Sequence, residues 1–267
     1  EENKIIDIVN NYQDISFNFG PTLLSWMELY DKDAYEAVIM ADMKSRQRFG
    51  GHGNALAQVY NHIIMPLATP RDRNTQIIWG IADFEKRFNR KPEGMWLAET
   101  AVDTATLELL AQHNILFTIL APRQAKAFRK LNDDQWQTIN ENQLDTAIPY
   151  AYKLPSGRTI ALFFYNGQIS REVAFNGLLN SGKLFADRLI VATRDTEQPQ
   201  LIHIATDGES YGHHHYRGDM ALASCIDYLK KNKSVTLTNY GEFLAKFPPQ
   251  YEIQIHENSS WSCVHGV

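Results

Sequence analysis

Apolar residues along this chain alternate between two spacings, and the alternation predicts a series of helices and buried strands. Helical periodicity covers 33–48, 71–88, 103–113 and 219–230. In the second of these, Ile77, Ile81, Phe84 and Phe88 recur at intervals of three and four, which sets them on one buried stripe. Short apolar runs at 16–19, 94–97, 116–120, 160–164, 201–205 and 235–237 read as strands buried on both faces. The 71–119 stretch shows the unit most clearly: a helix ends near Asn89, Pro92 precedes a strand, and Asp103 caps the next helix. Strands alternating with helices in this order predict an α/β fold built on a parallel sheet. One interruption is expected at 153–159, where Pro155-Ser156-Gly157 marks a hairpin turn and so an antiparallel excursion.

Composition narrows the function classes. The 267 residues are 44% hydrophobic and 21% charged, enough apolar material for one large domain. The net charge of -5 is spread over interspersed acids and bases, without the Lys and Arg clusters that nucleic acids or anionic membranes require. A neutral substrate is expected, with neither nucleic acid nor membrane as partner. Oligomeric state is not legible. No apolar run approaches a membrane span. Two cysteines, Cys225 and Cys263, cannot build a disulfide framework and agree with a cytoplasmic location.

In parallel α/β barrels the chemistry sits where strands end. Two strand patterns end here in carboxylates. One is Met95-Trp96-Leu97, followed by Ala98-Glu99; the other is Leu201 to Ala205, followed by Thr206-Asp207-Gly208-Glu209. Taken singly, Glu99 also reads as a salt-bridge or capping residue, and Asp207 to His215 as a polar turn with a solvated histidine run. Taken together they meet the need of glycosidic bond cleavage, in which one carboxyl protonates the leaving oxygen while another attacks the anomeric carbon. His52, in Gly50-Gly51-His52-Gly53-Asn54, sits in a turn that either approaches a sugar or serves as an ordinary loop. His203, on an inner strand, reads as a hydrogen-bonded core histidine.

Trp96-Leu97-Ala98-Glu99 resembles the nucleophile motif of glycoside hydrolase family 57, and Asp207-Gly208-Glu209-Ser210-Tyr211-Gly212 resembles its acid/base motif. Tyr60 to Leu67, with His62 ahead of Pro66-Leu67, is similar to a substrate-binding stretch of that family. Phe17 to Leu24 is similar to the segment of its second strand, and Trp261-Ser262-Cys263-Val264-His265-Gly266 partly resembles its last motif. The resemblance implies a distorted, incomplete (β/α)7 barrel and a retaining hydrolase or transferase acting on α-glucans. It also implies Glu99 as nucleophile, Asp207 as acid/base, and His62, Trp96, Glu209, Trp261 and His265 as substrate-binding residues. To these we add His52. No cofactor or metal is implied. The family's first motif, a histidine-containing element, has no counterpart in residues 1–20. The expectation is therefore a single catalytic domain over 1–267 without its first strand, open to truncation at its C-terminal end as well.

Two other readings compete. A polysaccharide deacetylase of related barrel type would use histidines on a divalent metal, and His213-His214-His215 invites that comparison. Adjacent histidines diverge, however, whereas metal ligands on one helix face stand three or four apart. A non-catalytic glucan-binding relative would keep the cleft as a sugar holder, against which stands the retention of both carboxylates.

Overall fold

The computed structural model describes residues 8–263 and 265–267. In chain order the elements are α1 (Pro21–Tyr30), α2 (Lys32–Arg48), β1 (Ala57–Gln58), α3 (Pro70–Phe88), β2 (Met95–Trp96), α4 (Thr104–Gln112), β3 (Phe117–Leu120), β4 (Ala125–Lys130), β5 (Gln137–Thr138), β6 (Tyr150–Lys153), β7 (Thr159–Phe164), α5 (Gly167–Phe175), α6 (Gly182–Val191), α7 (Gly218–Lys231), α8 (Tyr240–Lys246) and β8 (Tyr251–Ile255). The four helices expected from periodicity are α2, α3, α4 and α7. Helix α3 begins where the Thr69 side chain accepts from the Asp72 amide and ends at Asn89, whose left-handed backbone (φ 50°) stops the helix. Ile77, Phe84 and Phe88 of its stripe are buried. Helices α1, α5, α6 and α8 were not expected from the sequence pattern.

Parallel staves form the wall of an open barrel. Phe17 bridges Ala55, β1 pairs with β2, Gly94 bridges Phe117, and β3 pairs with β7, all in parallel. From there the wall continues by one bond, the Asn166 amide donating to the His203 carbonyl. Among the described residues the wall does not close, consistent with a distorted and incomplete barrel. The expected hairpin is present: β6 and β7 run antiparallel on either side of the 154–158 turn. It leads into a mixed extension, with β6 parallel to β8 and β8–β4 and β4–β5 antiparallel, so that one six-stranded sheet runs β3-β7-β6-β8-β4-β5.

Two expected strands are corrected. Residues 201–205 and 235–237 form no ladder. In the first, the Leu201 amide donates to the Ala147 carbonyl, the His203 carbonyl accepts from Asn166, and the Ala205 amide donates to the Ser170 hydroxyl. The loop at Ala147 and the start of α5, with Asn166 as its N-cap and Ser170 in its first turn, supply the partners, so no neighbouring strand sets a register. The 16–19 run contributes only the Phe17 bridge before α1 begins at Pro21.

A buried ion pair ties the first staves to α2. Asp42 takes two bonds from Arg90, Nε to Oδ2 at 2.9 Å and Nη2 to Oδ1 at 2.7 Å, and also accepts from the Ala55 amide. Arg90 donates further to the Ala55 carbonyl. A Cβ on Gly53 would lie 2.3 Å from Asp42 Oδ1, so only glycine leaves room for the pair. Arg90→Met strands a buried carboxylate and is expected to lower unfolding free energy by about 3–5 kcal/mol, measured by denaturant titration; an unchanged midpoint would show that the pair holds nothing together.

Candidate active site

Strand β2 ends in a turn over Ala98–Thr100, and the turn is what presents Glu99. Glu99 and Thr100 both have left-handed backbones (φ 57° and 52°), a conformation uncommon for glutamate and an outlier for a β-branched residue. Such strain persists only where the surroundings over-determine it. Here Gln124 grips the turn: its Nε2 donates to the Thr100 carbonyl at 2.9 Å, and its Oε1 accepts from the Thr100 hydroxyl at 2.8 Å. The Trp261 amide donates to the Glu99 carbonyl at 2.9 Å. The 259–261 strip is itself pinned, because Arg123 donates twice to the Ser260 carbonyl and Ser259 pairs with Val102.

The side chain of Glu99 is held as firmly as its backbone. Trp261 Nε1 donates to Glu99 Oε2 at 2.9 Å. His62 Nε2 lies 3.8 Å from Oε1, an electrostatic neighbour too distant for a good hydrogen bond. A hydrogen bond from Ser262, the Trp261 indole and the nearby His62 together hold the Glu99 carboxyl below the ordinary glutamate range, against the opposing effect of burial. Trp261 packs edge-on to Trp96 with centroids 5.2 Å apart, and also edge-on to Tyr165 at 6.2 Å.

Asp207 arrives from the other strand-like segment at the start of a short turn, Gly208–Tyr211. Burial pushes its pKa up, and the negative charges of Glu209 and Glu99 push it further; His62 and His214 pull the other way. The turn is braced by the Thr206 and Tyr211 hydroxyls at 2.9 Å and by the Glu209 carbonyl, which accepts from the His213 and His214 amides.

These residues converge. A cleft of about 480 Å³ is lined by His62, Trp96, Glu99, Asp207, Glu209, His213, His214 and Trp261. Six of the eight residues expected at a site are therefore together in space. His52 is not among them: its Nδ1 is 2.7 Å from Glu93 Oε1, and its carbonyl accepts from Asn239, which makes it a bracket between loops. His265 is exposed and likewise outside the cleft lining. His213 and His214 line the cleft although the sequence reading gave them no substrate role; their only signal was adjacency to the Asp-Gly-Glu turn. Their rings stand edge-on at 4.9 Å. The third histidine, His215, turns away and bonds the Ala174 carbonyl through Nε2 at 2.8 Å. Among the described residues no three His, Cys, Asp or Glu side chains are grouped to hold a metal ion, and no helix is long and apolar enough to cross a membrane.

His203, as expected, is structural. Tyr240 faces its Nδ1 at 2.8 Å, the Thr146 carbonyl faces Nε2 at 3.1 Å, and burial lowers its pKa to about 4, which keeps the ring neutral.

Comparison with known proteins places this geometry among related folds. The profile described as Glycosyl hydrolase family 57 matches residues 13–256. Among solved structures, the chain is similar to a 4-alpha-glucanotransferase from Thermococcus litoralis, with a TM-score of 0.73 and 18% identity over 94% of this chain and 36% of that one. An exo-type maltose-forming amylase from Pyrococcus sp. ST04 aligns with a TM-score of 0.72 and 18% identity, over 94% of this chain and 42% of the other. A branching enzyme of family 57 type from Pyrococcus horikoshii gives 0.64 and 18%, over 91% and 55%. The chain thus spans less than half the length of the first two. A search of curated proteins by sequence gives no match.

Proposed function

This chain belongs to Glycosyl hydrolase family 57, and on that premise we propose that the cleft is the active site of a retaining enzyme acting on α-glucans, with Glu99 as nucleophile and Asp207 as acid/base. The proposed unit is one catalytic domain. The α-glucan assignment is supported by the glucanotransferase, amylase and branching activities named for the similar structures. The observation that carries the two roles is the opposite displacement of two carboxyl pKa values in one cleft, Glu99 downward and Asp207 upward. A nucleophile has to be ionised and a general acid protonated at the same pH, and environments that push two carboxyls apart supply both.

The chemistry follows from those states. Glu99 attacks the anomeric carbon while Asp207 protonates the departing glycosidic oxygen; the carbon–oxygen bond to the leaving sugar breaks as the ester to Glu99 forms. Asp207, now a carboxylate, takes a proton from water or from a sugar hydroxyl. That oxygen attacks the anomeric carbon and releases Glu99, giving hydrolysis in the first case and transfer in the second. Trp261 has two tasks, fixing Glu99 Oε2 through its indole and presenting an aromatic wall beside Trp96. Such faces suit the C–H surface of a sugar ring.

The direct test is incubation of the chain with soluble α-glucan, following new reducing ends or redistributed chain lengths, with the anomeric form of the first product read by NMR. An α-configured first product is expected. A β-configured one would mean inversion, and absence of any product would remove the catalytic reading.

The pH profile of kcat/KM is expected to be a bell set by the pair. Activity falls on the acid side as Glu99 becomes protonated, at a pH below the ordinary glutamate value of 4.5. It falls on the alkaline side as Asp207 loses its proton, at a pH above the ordinary aspartate value of 3.8. Because the charge of Glu209 helps raise Asp207, Glu209→Gln moves the alkaline limb to lower pH. An alkaline limb unmoved by that change would rule Glu209 out as the cause.

A further inference from the structure

We infer that a second hollow, bordered by the residues that follow His62, is a subsite for the distal part of a bound α-glucan, with Trp79 as its platform. The inference rests on the α-glucan reading and extends it beyond the cleft. The hollow has a volume of about 580 Å³ and lies against Ile63, Ile64, Leu67, Asp72, Gln76 and Trp79 among others. His62 lines the cleft and Ile63 the hollow, so consecutive residues border the two spaces.

Three features distinguish this place from a merely exposed apolar patch. First, Trp79 is 52% exposed on a helix whose Ile77, Phe84 and Phe88 are buried, and its ring packs at right angles to that of Tyr60, with centroids 5.5 Å apart and 81° between planes. A half-exposed indole packed against a neighbouring ring is suited to stacking on a pyranose ring. Second, polar groups stand beside the ring: the Asp72 carboxylate, the Thr75 hydroxyl and the Gln76 amide border the same hollow as Leu67 and Ile64. Apolar walls with a few placed polar groups suit a ligand whose faces are C–H and whose rim is hydroxyl. Third, the hollow and the cleft are coupled by hydrogen bonds. Gln76 accepts from the Tyr60 amide through its carbonyl at 3.2 Å and from the Asn61 amide through Oε1 at 2.6 Å. Helix α3 is pressed onto β1 at Gly80, where a Cβ would come within 2.1 Å of the Gln58 carbonyl. Trp79 and His62 are thereby fixed relative to each other, as a chain crossing from cleft to hollow requires.

The test is affinity electrophoresis of the 267-residue chain and of Trp79→Ala and Trp79→Phe in native gels with and without soluble amylose, folding being checked by circular dichroism. The unmodified chain is expected to be retarded by amylose. Trp79→Ala should weaken that retardation by about tenfold in apparent Kd, with Trp79→Phe falling between. On an activated aryl maltoside, too short to reach the hollow, Trp79→Ala should keep kcat/KM within about twofold. Equal retardation of Trp79→Ala and the unmodified chain, or no retardation of either, overturns the subsite. Trp79-dependent retardation without turnover of any α-glucan would uphold the subsite and overturn the proposed activity. Turnover of short substrates with Trp79-independent retardation would do the reverse.

Discussion

Glu99→Ala is expected to lose roughly 10⁵-fold in kcat/KM on α-glucans, because removal of a covalent nucleophile removes the path itself. The loss should be similar for good and poor leaving groups, since neither can be displaced without an attacking carboxylate. Azide is small enough to enter the space the side chain leaves, and it should attack the anomeric carbon from the same side. The product is then a glycosyl azide of inverted configuration, formed in a single displacement. Glu99→Gln separates chemistry from architecture. Its amide oxygen still accepts from Trp261 Nε1, the bond that Glu99 Oε2 accepts at 2.9 Å. The Gln variant should therefore unfold at the same temperature as the unmodified chain while being equally inactive. Azide products of retained configuration from Glu99→Ala would transfer the nucleophile's role elsewhere.

Asp207→Ala should fail in a different manner, by about 10²- to 10⁴-fold where the leaving group is another sugar. Protonation of the glycosidic oxygen is needed most when that oxygen is a poor leaving group, so activated aryl glycosides should lose far less in the first step. The second step slows as well, because no base remains to activate water. With an aryl substrate the glycosyl enzyme on Glu99 should accumulate, visible as a burst of released aglycone followed by slow turnover. Azide needs no base and should discharge it, giving a product of retained configuration. If the Asp207 variant gave inverted azide product and the Glu99 variant retained product, the two roles would be exchanged.

The contrast between the two carboxylates was legible in part from the chain. Placement after apolar runs picked out both Glu99 and Asp207, the first at the end of strand β2 and the second after a run that forms no ladder, and the motif letters around them agreed with the family. The strain at Glu99 and Thr100 was not legible. It depends on Gln124, whose grip on the turn is made only when the segment after β3 folds against the end of β2. Nor could the sequence separate His52 from the site residues. A Gly-rich turn bearing a histidine has the same letters whether the ring faces a sugar or, as here, a glutamate on a neighbouring loop.

What the sequence determined by itself was local and periodic: the positions of α2, α3, α4 and α7, the parallel staves at β2, β3 and β7, the hairpin at 153–159, and the identity of the motif residues. These follow from side-chain spacing, capping and turn chemistry, which act over a few residues. What only the tertiary structure decided depended on partners far along the chain. Residues 201–205 carry a strand's pattern yet form no ladder, because their hydrogen bonds go to the loop at Ala147 and to the start of α5 rather than to one neighbouring strand. The lowering of the Glu99 pKa needs Ser262 and Trp261, more than 160 positions away, and the raising of Asp207 needs burial and Glu99 itself. A carboxylate's letter fixes its charge in water; the groups that surround it after folding fix whether it attacks or gives up a proton.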